Sequence, residues 1–194
     1  MRRRDILAGL GSLGVIGAGG VLAIRGVPSV DDGADEDEER EPVELETLEA
    51  TGSEAGTITV PAEGQVMVVD FFATWCDVCE DEMPTLAEAN ERIDDENVQF
   101  VWATTEILNP SEDDKASIVE GWESDFVVWD EESEHDWTLA VDSGFDLTSQ
   151  YDAEGQVPTT VVIDEEGETY YRSTGGGKVA DEIVDAVETA LEAQ

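Results

Sequence analysis

Two cysteines, one histidine and two lysines are all that this chain of 194 residues holds of those types. Each shortage excludes something. With Cys76 and Cys79 the only thiols, a framework of several disulfides is ruled out, and a zinc site would need carboxylates to complete its four ligands. His135 stands alone in a very acidic stretch and reads as a solvated surface residue. Basic residues number nine against 49 acids, and Arg2, Arg3, Arg4 and Arg25 fall within the first 25 positions. From Asp31 onward only Arg40, Arg92, Lys115, Arg172 and Lys178 oppose the carboxylates. A net charge of −40 repels nucleic acid and anionic lipid. No internal repeat, glycosylation sequon or EF-hand register occurs. The 175–178 run Gly-Gly-Gly-Lys lacks the spacing and the following Ser/Thr of a phosphate-binding loop.

What is present is a core-forming pattern behind an unusual leader. The 40% of hydrophobic residues suffices for one compact domain plus a tail. Disorder is excluded past residue 42 because apolar periodicity persists there. The acid surplus with so little lysine resembles proteins of halophilic archaea, and predicts a domain that loses stability in low salt. Residues 6–24 are uncharged, apolar and glycine-rich, close to the roughly 20 residues that span a bilayer. Arg3-Arg4-x-Ile6-Leu7 resembles a twin-arginine export signal; an ordinary anchor with arginines on its inner side is the alternative. Either way residues 1–30 point to export, with membrane contact if the segment is uncleaved. No cysteine precedes Cys76, so a lipoprotein anchor is not expected. Residues 31–42 read as an acidic, solvated linker.

From residue 43 to 194 the pattern alternates strands and helices. Strands are expected over 43–48, 57–60, 66–72, 98–103 and 137–141, with a hairpin over 159–163 and 168–172. The 66–72 run is continuously apolar save Asp70, as suits a central strand. A helix is expected from Cys76 to about Ile93, with Val78, Met83, Leu86 and Ala89 inward. Ile118, Trp122 and Phe126 predict a second helix within 112–132, capped by Ser111. A short helix follows at 145–151, and a last one from about Lys178 buries Val179, Ile183, Val187 and Leu191. The sum is an α/β sandwich around a mixed sheet.

The chemistry lies in Trp75-Cys76-Asp77-Val78-Cys79. Thiols at i and i+3 at a helix start lie on one face, near the roughly 5.5 Å Cα separation that a disulfide needs. A strand leads in and a helix leads out, so the Cys76 sulfur meets helix-terminal N–H groups that favour a thiolate. Residues 69–79 resemble the active-site signature of the thioredoxin superfamily, and Val157-Pro158-Thr159 its cis-proline loop. Pro84 matches the proline of that family's active-site helix. The layout is similar to the exported TlpA/ResA-like branch, with 43–60 as its N-terminal hairpin and 111–141 as its central helix–strand insertion. The fold so implied is a thioredoxin-like three-layer sandwich.

The resemblance implies roles. Cys76 would be the attacking thiolate and Cys79 the resolving thiol. Asp70, a buried acid six residues before Cys76, would take the proton from Cys79. Pro158 would hold a cis bond, the Val157 backbone would receive the substrate's chain, and Trp75 would join them in the substrate-binding site and pack as a shield over the cysteines. Partners would be protein disulfides or dithiols and a membrane thiol electron donor; no cofactor and no metal are implied. Asp77, Glu80, Asp81 and Glu82 around the helix start disfavour the thiolate and so favour a reductant. A disulfide-forming oxidase or isomerase, a copper metallochaperone using both thiolates, and an inert module stapled by the disulfide remain as alternatives.

Overall fold

The computed structural model describes residues 40–126 and 137–194. The expected export segment, most of the expected linker, the far end of the helix expected within 112–132, and His135 lie outside those residues. In chain order the elements are β1 (Val43–Thr47), β2 (Gly56–Val60), β3 (Val66–Phe72), α1 (Asp77–Arg92), β4 (Val98–Thr104), α2 (Glu112–Gly121) running into a π-turn (Trp122–Phe126), β5 (Trp137–Val141), α3 (Asp146–Gln150), β6 (Thr159–Ile163), β7 (Thr169–Thr174) and α4 (Ala180–Ala193).

The strands form one seven-stranded mixed sheet in the order β2-β1-β5-β4-β3-β6-β7. β3, β4 and β5 run parallel, while β6 pairs antiparallel with β3 and β1 antiparallel with β5. Every residue of β3 is buried, because it has strands on both sides and helices above and below. Its side chains alternate between two cores. Val66, Val68 and Phe72 face the layer of α1, α2 and α4, with Met83, Leu86, Ile118, Ile183 and Val187. Met67, Val69 and Phe71 face the other layer, with Leu147 of α3 and Tyr151. By this alternation Asp70 belongs to the α1 side.

Phe72 ends β3 and is fixed by rings. Its centroid lies 5.6 Å from that of Trp122 and 5.2 Å from that of Phe126, both edge-on. Trp102 stacks on Trp137 at 4.2 Å and closes the cluster. Each such pair contributes about 0.5–1.5 kcal/mol beyond area burial, so the strand end that leads to the cysteines is held firmly. The π-turn explains how Ile118, Trp122 and Phe126 are all buried. Four-residue steps drift about 40° per step in a 3.6-residue helix; a wider turn keeps them in line. The Ser111 cap is present as a capping box with Asp114.

Three expectations about where the elements and the linker lie fail. Val78 is exposed rather than inward. The inner stripe of α1 runs Cys79, Glu82, Met83, Leu86, and the flank carrying Val78 faces Gly176, which has no side chain to cover it. Val179 is also exposed, because it precedes α4 as its extended N-cap, outside the helical period. Arg40 is not part of a solvated tether. Its guanidinium donates to the carbonyls of Gln150 (3.3 Å) and Gly167 (2.6 Å) and lies 4.7 Å from the centroid of the Tyr151 ring.

Candidate active site

β3 hands the chain to the 73–75 loop, and Cys76 follows as the N-cap of α1. Its Sγ accepts the Cys79 N–H at 3.2 Å, and its carbonyl accepts the N–H of Cys79 and of Glu80. The two sulfurs are joined as a disulfide with a Cα–Cα distance of 5.2 Å. Cys76 is the more accessible, at 8% exposure against 1% for Cys79. In the reduced form the helix-terminal N–H would stabilise charge on Cys76 more than on Cys79.

The loop is held from two sides. Glu106, beyond β4, accepts from the Thr74 N–H at 2.7 Å and from its hydroxyl at 3.0 Å. Gly121 ends α2 so close to Thr74 that a methyl there would stand 2.8 Å from Thr74 Cβ. Trp75 is 70% exposed, which corrects the packed shield expected of it. It stands in a loop between strand and helix, where no layer covers it, and presents its ring to solvent beside Cys76.

Asp70 is buried on β3, directly opposite Thr160 of β6, whose hydroxyl donates to its Oδ1. Burial raises its pKa from 3.8 to about 6; Lys178 and the Thr160 hydroxyl pull it down, and Glu82 pushes it up. Val157 is half-buried and joined by a cis bond to buried Pro158, at the start of β6. The Pro158 carbonyl accepts the Gly175 N–H at 2.8 Å, so the glycine-rich loop after β7 lies against the cis-proline loop.

Sequence reasoning missed two charged groups in this interior. The sequence groups Glu82 with the acids of the helix start, yet it is buried and accepts the N–H of Gly177 (2.5 Å) and of Lys178 (3.1 Å). The Lys178 side chain is fully buried; its Nζ donates to the Gly175 carbonyl at 3.1 Å and stands 3.9 Å from Glu82 Oε2. A signal existed for Glu82, which falls three residues after Cys79 and next to Met83 on the buried stripe. For Lys178 the signal was rarity. Asp77, Glu80 and Asp81 are exposed as expected. Among the described residues no group of three or more His, Cys, Asp or Glu is arranged to hold a metal ion.

A mixed sheet with a helix-capping CxxC disulfide beside a cis-proline defines a thioredoxin-like oxidoreductase. The chain belongs to the Redoxin family, whose profile matches residues 39–191. No curated protein matches it in sequence. Among solved structures it is similar to StoA from Bacillus subtilis, at 18% identity over 75% of this chain and 96% of that one, with a TM-score of 0.56. The exposed lipoprotein thioredoxin Etrx1 from Streptococcus pneumoniae shares 22% over 77% and 99%, with a TM-score of 0.54. Copper-bound ScoI from Arabidopsis thaliana shares 14% over 81% and 100%, with a TM-score of 0.52. Likeness at these identities is likeness of fold.

Proposed function

We propose that this protein is an extracytoplasmic thiol–disulfide oxidoreductase of the TlpA/ResA-like, haloarchaeal type, working as a reductant on protein disulfides. The observation that carries this reading is the disulfide closed at the N-terminus of α1, with one sulfur more accessible than the other. In the reduced protein the Cys76 thiolate attacks a substrate disulfide; that S–S bond breaks, a Cys76–substrate disulfide forms, and one substrate thiolate leaves and takes up a proton. Cys79 gives its proton to Asp70 and attacks Cys76 Sγ. The mixed disulfide breaks, the second substrate thiolate leaves and is protonated, and the Cys76–Cys79 disulfide remains. Two electrons have passed to the substrate, and a thiol donor at the membrane restores them. Trp75 and the Val157–Pro158 edge receive the substrate's extended chain.

Direction rests on charge. Asp77, Glu80 and Asp81 stand exposed around the helix start, where like charge disfavours the Cys76 thiolate. A weaker thiolate makes the reduced form the better electron donor. A Cys76 pKa below about 5 with a potential near −120 mV would overturn that direction. Export rests on the leader, Arg3-Arg4 followed by the apolar 6–24 run and the acidic linker; no helix among the described residues is long and apolar enough to cross a membrane.

The test is turnover: the oxidised protein should accelerate dithiothreitol-driven reduction of insulin, and Cys76→Ser should abolish the acceleration. A wild-type rate no faster than dithiothreitol alone would reduce the disulfide to a staple. The copper-bound ScoI fold keeps a metallochaperone as second reading; copper retained through dialysis and lost in Cys76→Ser would favour it.

A further inference from the structure

Four large apolar side chains are exposed among the described residues: Trp75, Val78, Leu108 and Val179. Scattered singly over a surface they would carry no meaning. They are not scattered. Trp75 and Val78 flank Cys76 in the chain. Leu108 stands in the 105–110 loop, which Glu106 fastens to Thr74. Val179 follows the glycine-rich loop, whose Gly175 N–H donates to the Pro158 carbonyl. Gly176 of that loop packs on Val78, where a methyl on the glycine would stand 3.2 Å from Val78 Cγ1. The sheet brings these loops to one end. Thr104 of β4 is level with Phe72, and Thr174 of β7 is level with Phe71 through Thr159 of β6. β4 lies on one side of β3, and β6 and β7 on the other. Leu108 and Val179 therefore come from opposite sides of the disulfide.

The exposed charge around them has one sign. Asp77, Glu80 and Asp81 are exposed, no Lys or Arg occurs over 73–81 or 105–110, and Lys178 of the glycine-rich loop is buried. We infer that the site selects extended segments with large apolar residues on both sides of the cysteine and no net negative charge. This rests on the reading of Cys76 and Cys79 as the exchanging pair. The backbone of such a segment lies along the Val157–Pro158 edge. Its apolar side chains meet Trp75 and Leu108 on one side of the disulfide, and Val78 and Val179 on the other. An acidic segment is turned away, because it sets like charges against the first turn of α1. Molar salt screens charges farther apart than roughly 3 Å but leaves apolar contact intact. Folded proteins bury apolar segments of this kind, so the substrates are chains that have not yet closed their cores.

The test uses the reduced full-length protein in molar KCl and short synthetic peptides, each with a central cysteine capped as a mixed disulfide with mercaptoethanol. The cysteine is flanked on both sides by Leu, Ser, Lys or Glu, and kcat/KM is read from release of the peptide thiol. The Leu-flanked peptide should react about tenfold faster than the Ser-flanked one, and the Glu-flanked one should be slowest. Leu108→Ser and Val179→Ser, both at exposed positions, should each cut the Leu-to-Ser ratio by about threefold or more. A peptide with Leu on one side only should respond to one of these variants more than to the other. A Leu-to-Ser ratio near one, a Lys-flanked peptide that outruns the Leu-flanked one, or a ratio unmoved in either variant overturns the inference. Failure of the oxidoreductase reading would show differently, as no reduction of any peptide or of hydroxyethyl disulfide.

Discussion

Asp70 is a residue that works against the fold that holds it. Its pKa lies near 6 in the folded protein, against 3.8 unperturbed, and burial is the main cause. Between those values the folded state holds a proton that the unfolded chain has released. The stabilisation is fully present below about pH 4, falls as pH rises through this window, and is lost above about pH 6. The difference amounts to about 3 kcal/mol. Asp70→Asn should therefore be more stable than wild type at pH 8 by up to that amount, with the gap closing at pH 4, as read by urea denaturation at the two pH values. It should also resolve mixed disulfides more slowly. The Cys76–Cys79 disulfide, the burial of Asp70 and the cis bond at Pro158 were legible because each belongs to a short local motif. Glu82 and Lys178 were not, because they meet across 96 residues, and acids crowd this sequence too densely for one to stand out as buried.

Among elements, α1 and α2 carry most of the argument. α1 presents the disulfide at its first turn, and α2 braces the preceding loop where Gly121 meets Thr74. In an open helix, replacing Gly by Ala gains up to about 1 kcal/mol. Here the added methyl would stand 2.8 Å from Thr74 Cβ, an atom fixed to the backbone. Gly121→Ala should instead lose about 1–3 kcal/mol in chemical denaturation and slow disulfide exchange by shifting the 73–75 loop. The strands were readable almost to the residue, because β-branched and aromatic runs broken by Gly and Pro leave little freedom of register. Helix ends were less so. Val179 fits the helical period on paper but lies outside the helix, and the π-turn arises from core packing of Trp122 and Phe126 that no local pattern specifies.

At the scale of the molecule, charge dominates. A net −40 destabilises the compact state by self-repulsion unless it is screened. At about 1 M salt the Debye length is roughly 3 Å, so neighbouring surface carboxylates barely repel. Thermal melting should rise by several degrees or more between low and molar KCl; an unchanged curve would contradict salt adaptation. The sheet and its two cores carry this charged shell and hold one disulfide at the end of β3. The central claim is that Cys76 attacks and Cys79 resolves. The most direct measurement is trapping of disulfide-linked protein partners in cells by Cys79→Ser beside Cys76→Ser, resolved on non-reducing gels. Cys79→Ser should accumulate mixed disulfides at Cys76, and Cys76→Ser should accumulate few. Equal trapping by the two variants, or none by either, would contradict the account.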